Sequence, residues 1–272
     1  MRFDNSSSVP LPKIGLGTAR LGGRIIPNRL RDPDWMAAML SALELGYSHF
    51  DTAELYALGY SEEIIGRAIQ EFHANREKLF ITTKAWLIHL DYRGLLQACE
   101  NSLRRLGTDY IDLYLIHMPN RFIPLEETFR GLNQLVTDKK VRYLGVSNFN
   151  LTQLKEAIRL ADSPLITNQI PYNPFERRYR RNGVIHFCQE QKILVTAYSP
   201  LRSHRFTTHE ELASIAEKHQ VTVQQIALSW LTSQPGIIAI PMSFDPIHQK
   251  QNLDSLNINL SQDELEKIEQ FE

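Results

Sequence analysis

The stretch Tyr47-Ser-His-Phe-Asp51-Thr-Ala-Glu-Leu-Tyr56 decides how this chain is read. Its first four residues read as the end of a strand. Asp51 and Tyr56 follow, and Gly59-Tyr-Ser61 leads into an amphipathic run over 62–72 that reads as a helix. An acid and a phenol at a strand-to-helix turn stand where an α/β barrel places its chemistry. An Asp at such a turn also serves as a simple cap, so the rest of the chain has to decide.

Working outward, the alternation repeats. Upstream, Lys13-Ile-Gly-Leu-Gly-Thr18 reads as a short strand with a glycine-bearing turn. Asp34 opens an apolar-periodic run closed by Gly46. Downstream, residues 79–83 form a strand ending at Lys84, 92–106 a helix, and 111–116 a strand ending at His117. A helix over 125–136 precedes a strand over 141–146 that ends at Ser147 and Asn148. Asn150 and Gln153 have the spacing of a helix cap, and a strand over 165–168 ends at Gln169. Helix 184–191 and strand 193–197, ending at Tyr198, come next. Thr208 with Glu211, Thr222 with Gln225 and Ser261 with Glu264 give three further capping-box spacings around a last strand, 237–240.

Strands alternating with helices require crossover connections and hence parallel pairing. Eight such units predict an α/β, single-domain (β/α)8 TIM barrel over 1–272, with a doubly wound open sheet as the alternative. Gly15-Leu-Gly17 is not a dinucleotide fingerprint, because it lacks the third glycine and no helix follows it directly. In a barrel the strand ends share one face. Asp51, Lys84, His117, Ser147, Asn148, Gln169 and Tyr198 would therefore converge on one pocket.

Bulk properties narrow the function. Net charge is −1, and 43% of residues are hydrophobic against 22% charged, which gives no footprint for nucleic acid or an anionic membrane. Arg104-Arg105, Lys139-Lys140 and the arginines of 177–181 read as solvated surface, with phosphate binding as the alternative. No segment approaches the ~20 apolar residues of a membrane span, and the polar start does not read as a signal peptide. Cys99 and Cys188 read as reduced, buried small hydrophobes, and no metal site is expected. A cytoplasmic, monomeric enzyme fits.

At these residues the chain resembles the aldo-keto reductase superfamily over nearly its whole length. The motifs are Asp51-Thr-Ala-Glu-Leu-Tyr56, Thr83-Lys84-Ala-Trp86, Leu115-Ile-His117-Met-Pro119, Gly145-Val-Ser-Asn-Phe149, Asn168-Gln169, Ala197-Tyr-Ser-Pro-Leu201 and Ile240-Pro-Met-Ser243. The resemblance implies reduction of aldehydes and activated ketones with NADPH, and with NADH as well. It implies a catalytic tetrad of Asp51, Tyr56, Lys84 and His117. Tyr56 would be the proton donor, with its pKa lowered by Lys84, which Asp51 holds charged. Ser147, Asn148 and Gln169 would hold the nicotinamide carboxamide, and Tyr198 would stack on its ring. Ser199 and Leu201 would line the pyrophosphate, with Gly17, Thr18 and Asp51 near the nicotinamide end. Ser243, Phe244, His248, Gln251 and Asn252 would meet the adenosine end. Trp86 and Met118 would wall the substrate, although Trp86 could equally be barrel packing.

Three departures stand out. Ser48 replaces a frequent Arg. The chain stops directly after its last helix and the loop after His117 is short, which predicts an open pocket. Met242 and His248 replace a Lys and an Arg expected at the adenosine 2′-phosphate, which predicts only a moderate preference for NADPH over NADH. A regulatory or sensor subunit on the same barrel, and a barrel using Lys84 as a Schiff base, are the rival functions.

Overall fold

In the computed structural model the described residues are 3–4, 9 and 11–271. The single domain expected over 1–272 reaches beyond them at both ends.

Eight parallel strands neighbour one another in chain order: β3 (Leu16–Gly17), β4 (His49–Asp51), β5 (Phe80–Ala85), β6 (Ile111–Ile116), β7 (Val141–Ser147), β8 (Leu165–Pro171), β9 (Leu194–Tyr198) and β10 (Ile237–Ala239). The sheet closes on itself. Ile14 bridges Ala239 in parallel, Gly15 N donates to Ala239 O at 2.9 Å, and Gly17 N donates to Pro241 O at 3.0 Å. Close neighbours explain the two glycines. A Cβ at Gly17 would lie 2.7 Å from Ile240 O, and one at Gly15 would lie 2.5 Å from His49 Nδ1. β6 is buried along its whole length because helices cover the outside and side chains fill the inside.

A short antiparallel hairpin, β1 (Phe3–Asp4) with β2 (Leu11–Pro12), plugs the N-terminal end of the barrel. Val9 and Leu11 pack there on Leu113, Leu115, Ile166, Leu194 and Ile238. Asp4 anchors the plug through Lys13 at 2.7 Å and Gly236 N at 3.1 Å.

The outer helices are α1 (Asp32–Glu44), α2 (Tyr60–Glu71), α3 (Tyr92–Leu106), α4 (Leu125–Thr137), α5 (Leu151–Leu160), α6 (Arg178–Arg181), α7 (Val184–Glu190), α8 (Glu210–His219), α9 (Val223–Ser233), α10 (Pro246–Asp254) and α11 (Gln262–Glu269). Capping boxes start α5, α9 and α11 as the sequence predicts, at Asn150, Thr222 and Ser261. The fourth does not form. His209, not Thr208, caps α8 and accepts from Leu212 N. Its ring packs 3.9 Å from Phe271 and 5.4 Å from Phe175, and that aromatic cluster decides which residue sits at the cap.

The basic clusters are also not simply solvated. Arg177 is buried and donates to the last carbonyls of α11, Ile268 O and Glu269 O, while Arg180 pairs with Glu269 at 2.8 Å. A helix C-terminus attracts cations, so the cluster ties the loop after β8 to α11. Arg105 reaches the buried Glu62 at 2.6 Å, and Lys140 pairs with Glu100.

Within the bore, His49 is buried with Nε2 3.0 Å from Thr82 Oγ1. Burial pushes its pKa down to about 4. Because the folded value is depressed, the unfolded chain binds a proton that the folded chain refuses between about pH 6.5 and 4. This contribution to stability is present above that window and is lost as pH falls through it, at up to ~1.4 kcal/mol per pH unit. Thermal melts between pH 7 and 4.5 should show a falling Tm, with a shallower slope in His49→Asn. An unchanged slope in that variant would contradict the assignment.

Candidate active site

The C-terminal ends of the strands enclose a cavity of about 510 Å³ lined by Asp51, Tyr56, His117, Met118, Ser147, Asn148, Gln169 and Tyr198, among others. A larger groove of about 970 Å³ lies on the barrel's flank between α2 and α3. Three of its arginines are ion-paired, Arg67 with Asp32, Arg76 with Asp112 and Arg105 with Glu62, and the groove lies away from the strand ends.

At the floor of the cavity sits a buried ion pair. Lys84 Nζ donates to Asp51 Oδ1 and to Thr52 O, each at 2.6 Å. One N–H remains for Tyr56, whose ring centroid lies 5.1 Å from Nζ. Burial alone would lower the Lys84 pKa, but Asp51 and Tyr56 more than reverse that, so the net direction is upward and the ammonium keeps its charge.

Tyr56 is carried by a turn under strain. Ala57 and Leu58, neither of them glycine, take φ of 47° and 54°, and Gly59 takes 88°. Left-handed backbone costs an L-residue ~1–2 kcal/mol, and such strain tends to persist at working sites. The turn presents the phenol to the cavity and then starts α2.

The Tyr56 pKa departs from the expectation. Burial raises it and Asp51 adds to the rise, and the lowering by Lys84 does not overcome them. The phenol is thus held protonated. His117 stands edge-on to Tyr56, ring centroids 5.7 Å apart. Burial, and then the Lys84 charge, push its pKa down to about 3, so its imidazole is neutral near pH 7. Trp86 packs edge-on behind His117 at 5.4 Å with its backbone N held by Glu54 Oε1, and Met118 lines the cavity directly.

The other half of the cavity is lined by Gly17, Thr18, Ser199 and Leu201. Asn148 is fully engaged. Its Nδ2 donates to His117 O at 3.2 Å and Ser147 Oγ at 2.9 Å, and its Oδ1 accepts from Tyr198 OH at 2.9 Å. Ser147 Oγ donates to Gln169 O at 2.9 Å. Gln169 Nε2 donates to Asp51 Oδ2 at 2.7 Å.

The adenosine-end residues are not gathered here. The cavity lining stops at Met242. Phe244 packs edge-on against Trp35 at 5.4 Å, Asn252 is buried, and Gln251 and His248 lie along α10. Asp245 caps α10, accepting from Ile247 N at 2.8 Å and His248 N at 3.3 Å. Two amides at the start of α10 are therefore occupied by a carboxylate. Arg20 and Arg202, by contrast, line the cavity. Their positions just past strand ends are the sequence signal for this.

The aldo/keto reductase family model matches residues 13–272. The chain belongs to the aldo/keto reductase family. Glyoxal reductase of Bacillus subtilis is 38% identical over 229 residues, 84% of this chain and 80% of that one. A solved structure of a thermostable aldo-keto reductase, Tm1743, with the inhibitor epalrestat has a TM-score of 0.95 and 40% identity and covers 100% of both chains. The aldo/keto reductase from Klebsiella pneumoniae in complex with NADP and acetate has a TM-score of 0.89 at 34% identity, covering 98% of this chain and 93% of that one.

The Asp51–Lys84 pair generates a stability prediction. Removing one partner of a buried pair strands the other charge, at a cost of ~3–5 kcal/mol. Lys84→Met should lower Tm by several degrees and abolish turnover. Adding Asp51→Asn should restore most of the Tm without restoring turnover. A single variant as stable as the wild type would contradict the pairing.

Proposed function

We propose that the protein reduces small reactive carbonyl compounds, 2-oxoaldehydes of the glyoxal type foremost, to alcohols with NADPH as hydride source. It would act as a monomer, and a cytoplasmic setting fits the charge balance and the two buried free cysteines. Among the described residues no helix is long and apolar enough to cross a membrane, and no cluster of His, Cys, Asp or Glu is arranged to hold a metal. The observation that carries the reading is a buried, charged Lys84 braced by Asp51 beside a protonated Tyr56 in the barrel cavity.

The residues suit the nicotinamide half of the cofactor. Gln169 is the amide at the floor with an oxygen left open, since among the described residues no group donates to its Oε1. The Tyr198 hydroxyl bond to Asn148 sets the ring as a platform. The fit is poorer toward a 2′-phosphate, where Met242 brings no charge and Asp245 brings the wrong one.

When bound, the cofactor supplies a hydride to the carbonyl carbon. The protein's task is the oxygen, on which negative charge grows. Neutral His117 would orient that oxygen by hydrogen bonding. Tyr56 would surrender its proton as the oxygen becomes basic, and Lys84 would stabilise the phenolate left behind. The raised pKa of Tyr56 means that the acid form persists past the ordinary phenol value of about 10, so reduction should not lose its proton donor near neutrality. A turnover assay with glyoxal or methylglyoxal, following NADPH absorbance, tests the activity.

Two outcomes follow. Tyr56→Phe should lower kcat by ~10²-fold or more while leaving the NADPH Kd within about twofold, because only the proton donor is lost. A tenth of wild-type kcat in that variant would refute the role. Tryptophan-fluorescence titration should give Kd values for NADPH and NADH within about tenfold of each other, since one missing charge-assisted bond accounts for ~1.5–3 kcal/mol. A margin beyond a hundredfold that collapses in Arg20→Ala or Arg202→Ala would instead identify those arginines as the readers of the phosphate.

A further inference from the structure

Asp51 is 1% exposed and has two oxygens to satisfy. Lys84 takes Oδ1 at 2.6 Å, and Gln169, from the far side of the barrel, takes Oδ2 at 2.7 Å. An ionised carboxylate only accepts, so the Gln169 amide must turn Nε2 toward Asp51 and Oε1 toward the cavity. The backbone carbonyl of Gln169 is also engaged, by Ser147 Oγ at 2.9 Å. Gln169 is thus the residue that touches both the carboxylate behind the proton donor and the space where a carboxamide would lie.

We infer that Gln169 is a positioning residue for proton transfer, holding Asp51 so that Lys84 stays aimed at Tyr56, in addition to any contact it makes with the cofactor. This inference rests on the proposed carbonyl reduction. A side chain that only bound a carboxamide would affect cofactor affinity. One that braces Asp51 affects the step at saturating cofactor, and does so only while Asp51 is a carboxylate.

The test follows from the donor. Gln169→Met removes it. Gln169→Glu restores it while the new carboxyl is protonated and removes it on ionisation. Beside Asp51 that ionisation is shifted upward by like-charge repulsion. The charged and titratable groups facing the position are Asp51 and, below it on β4, His49, Lys84 on β5, His117 after β6, Tyr56 on the turn after β4 and Tyr198 on β9. Arg20 and Arg202 lie at the cavity wall.

Measured with NADPH and methylglyoxal at saturation between pH 5 and 9, Gln169→Met should lose tenfold or more of kcat at every pH. Gln169→Glu should approach wild-type kcat at the acid end and fall tenfold or more as pH rises, where the wild type stays flat. In an Asp51→Asn background, Gln169→Met should cost no further kcat. NADPH Kd, measured separately by fluorescence, should change by less than the kcat. If both variants keep wild-type kcat and a flat profile while only Kd rises, the inference is overturned and Gln169 is a cofactor contact alone. Wild-type turnover and Tyr56→Phe run alongside separate this failure from that of the proposed function, which fails if the wild type does not turn over or if that variant stays active.

Discussion

A charge can be buried in a protein only if something is buried with it. Lys84 and Asp51 have essentially no contact with solvent, and the cost of removing either ion from water is several kcal/mol. Their bond at 2.6 Å, with Thr52 O on the ammonium and Gln169 on the carboxylate, offsets that cost. The four groups come from three strands and the turn after one of them. None can move alone, and Tyr56 stands against this fixed positive charge in an otherwise desolvating site. A phenol placed there keeps its proton at rest and has a counter-charge waiting once the proton leaves.

The barrel supplies the rigidity that this requires. Closing the sheet forces the backbones of 13–17 and 237–241 together, and a Cβ at Gly17 would strike the backbone there, while one at Gly15 would strike the His49 ring. The pairing of β3 with β4 sets Gly17 and Thr18 next to Asp51, where Thr18 N and Oγ1 both donate to Asp51 O at 3.0 and 2.9 Å. Val9 and Leu11 fill the opposite end, and the cavity opens at the strands' C-terminal ends.

Period and turn chemistry made much of this legible in advance. α3 and β6 begin and end where the spacing of apolar residues placed them, and three capping boxes formed because their partners are three residues apart and depend on nothing distant. The failures share the opposite property. His209 displaced Thr208 because Phe175 and Phe271 pack on its ring. Arg177 is buried because α11, about ninety residues onward, ends beside it. The Tyr56 pKa went up because burial, which no motif states, outweighed a neighbouring charge. The bond from Gln169 to Asp51 spans 118 residues and had no signal in the sequence at all.

The central claim is that Tyr56, set by this ion pair, delivers the proton within the same step that transfers hydride. Its most direct measurement is the single-turnover rate of NADPH oxidation by methylglyoxal, compared in H2O and D2O and with NADPH deuterated at the transferred position. The account predicts that both isotopic substitutions slow the same step in the wild type, and that Asp51→Asn changes the solvent effect. A hydride step insensitive to D2O, in wild type and variant alike, would contradict it.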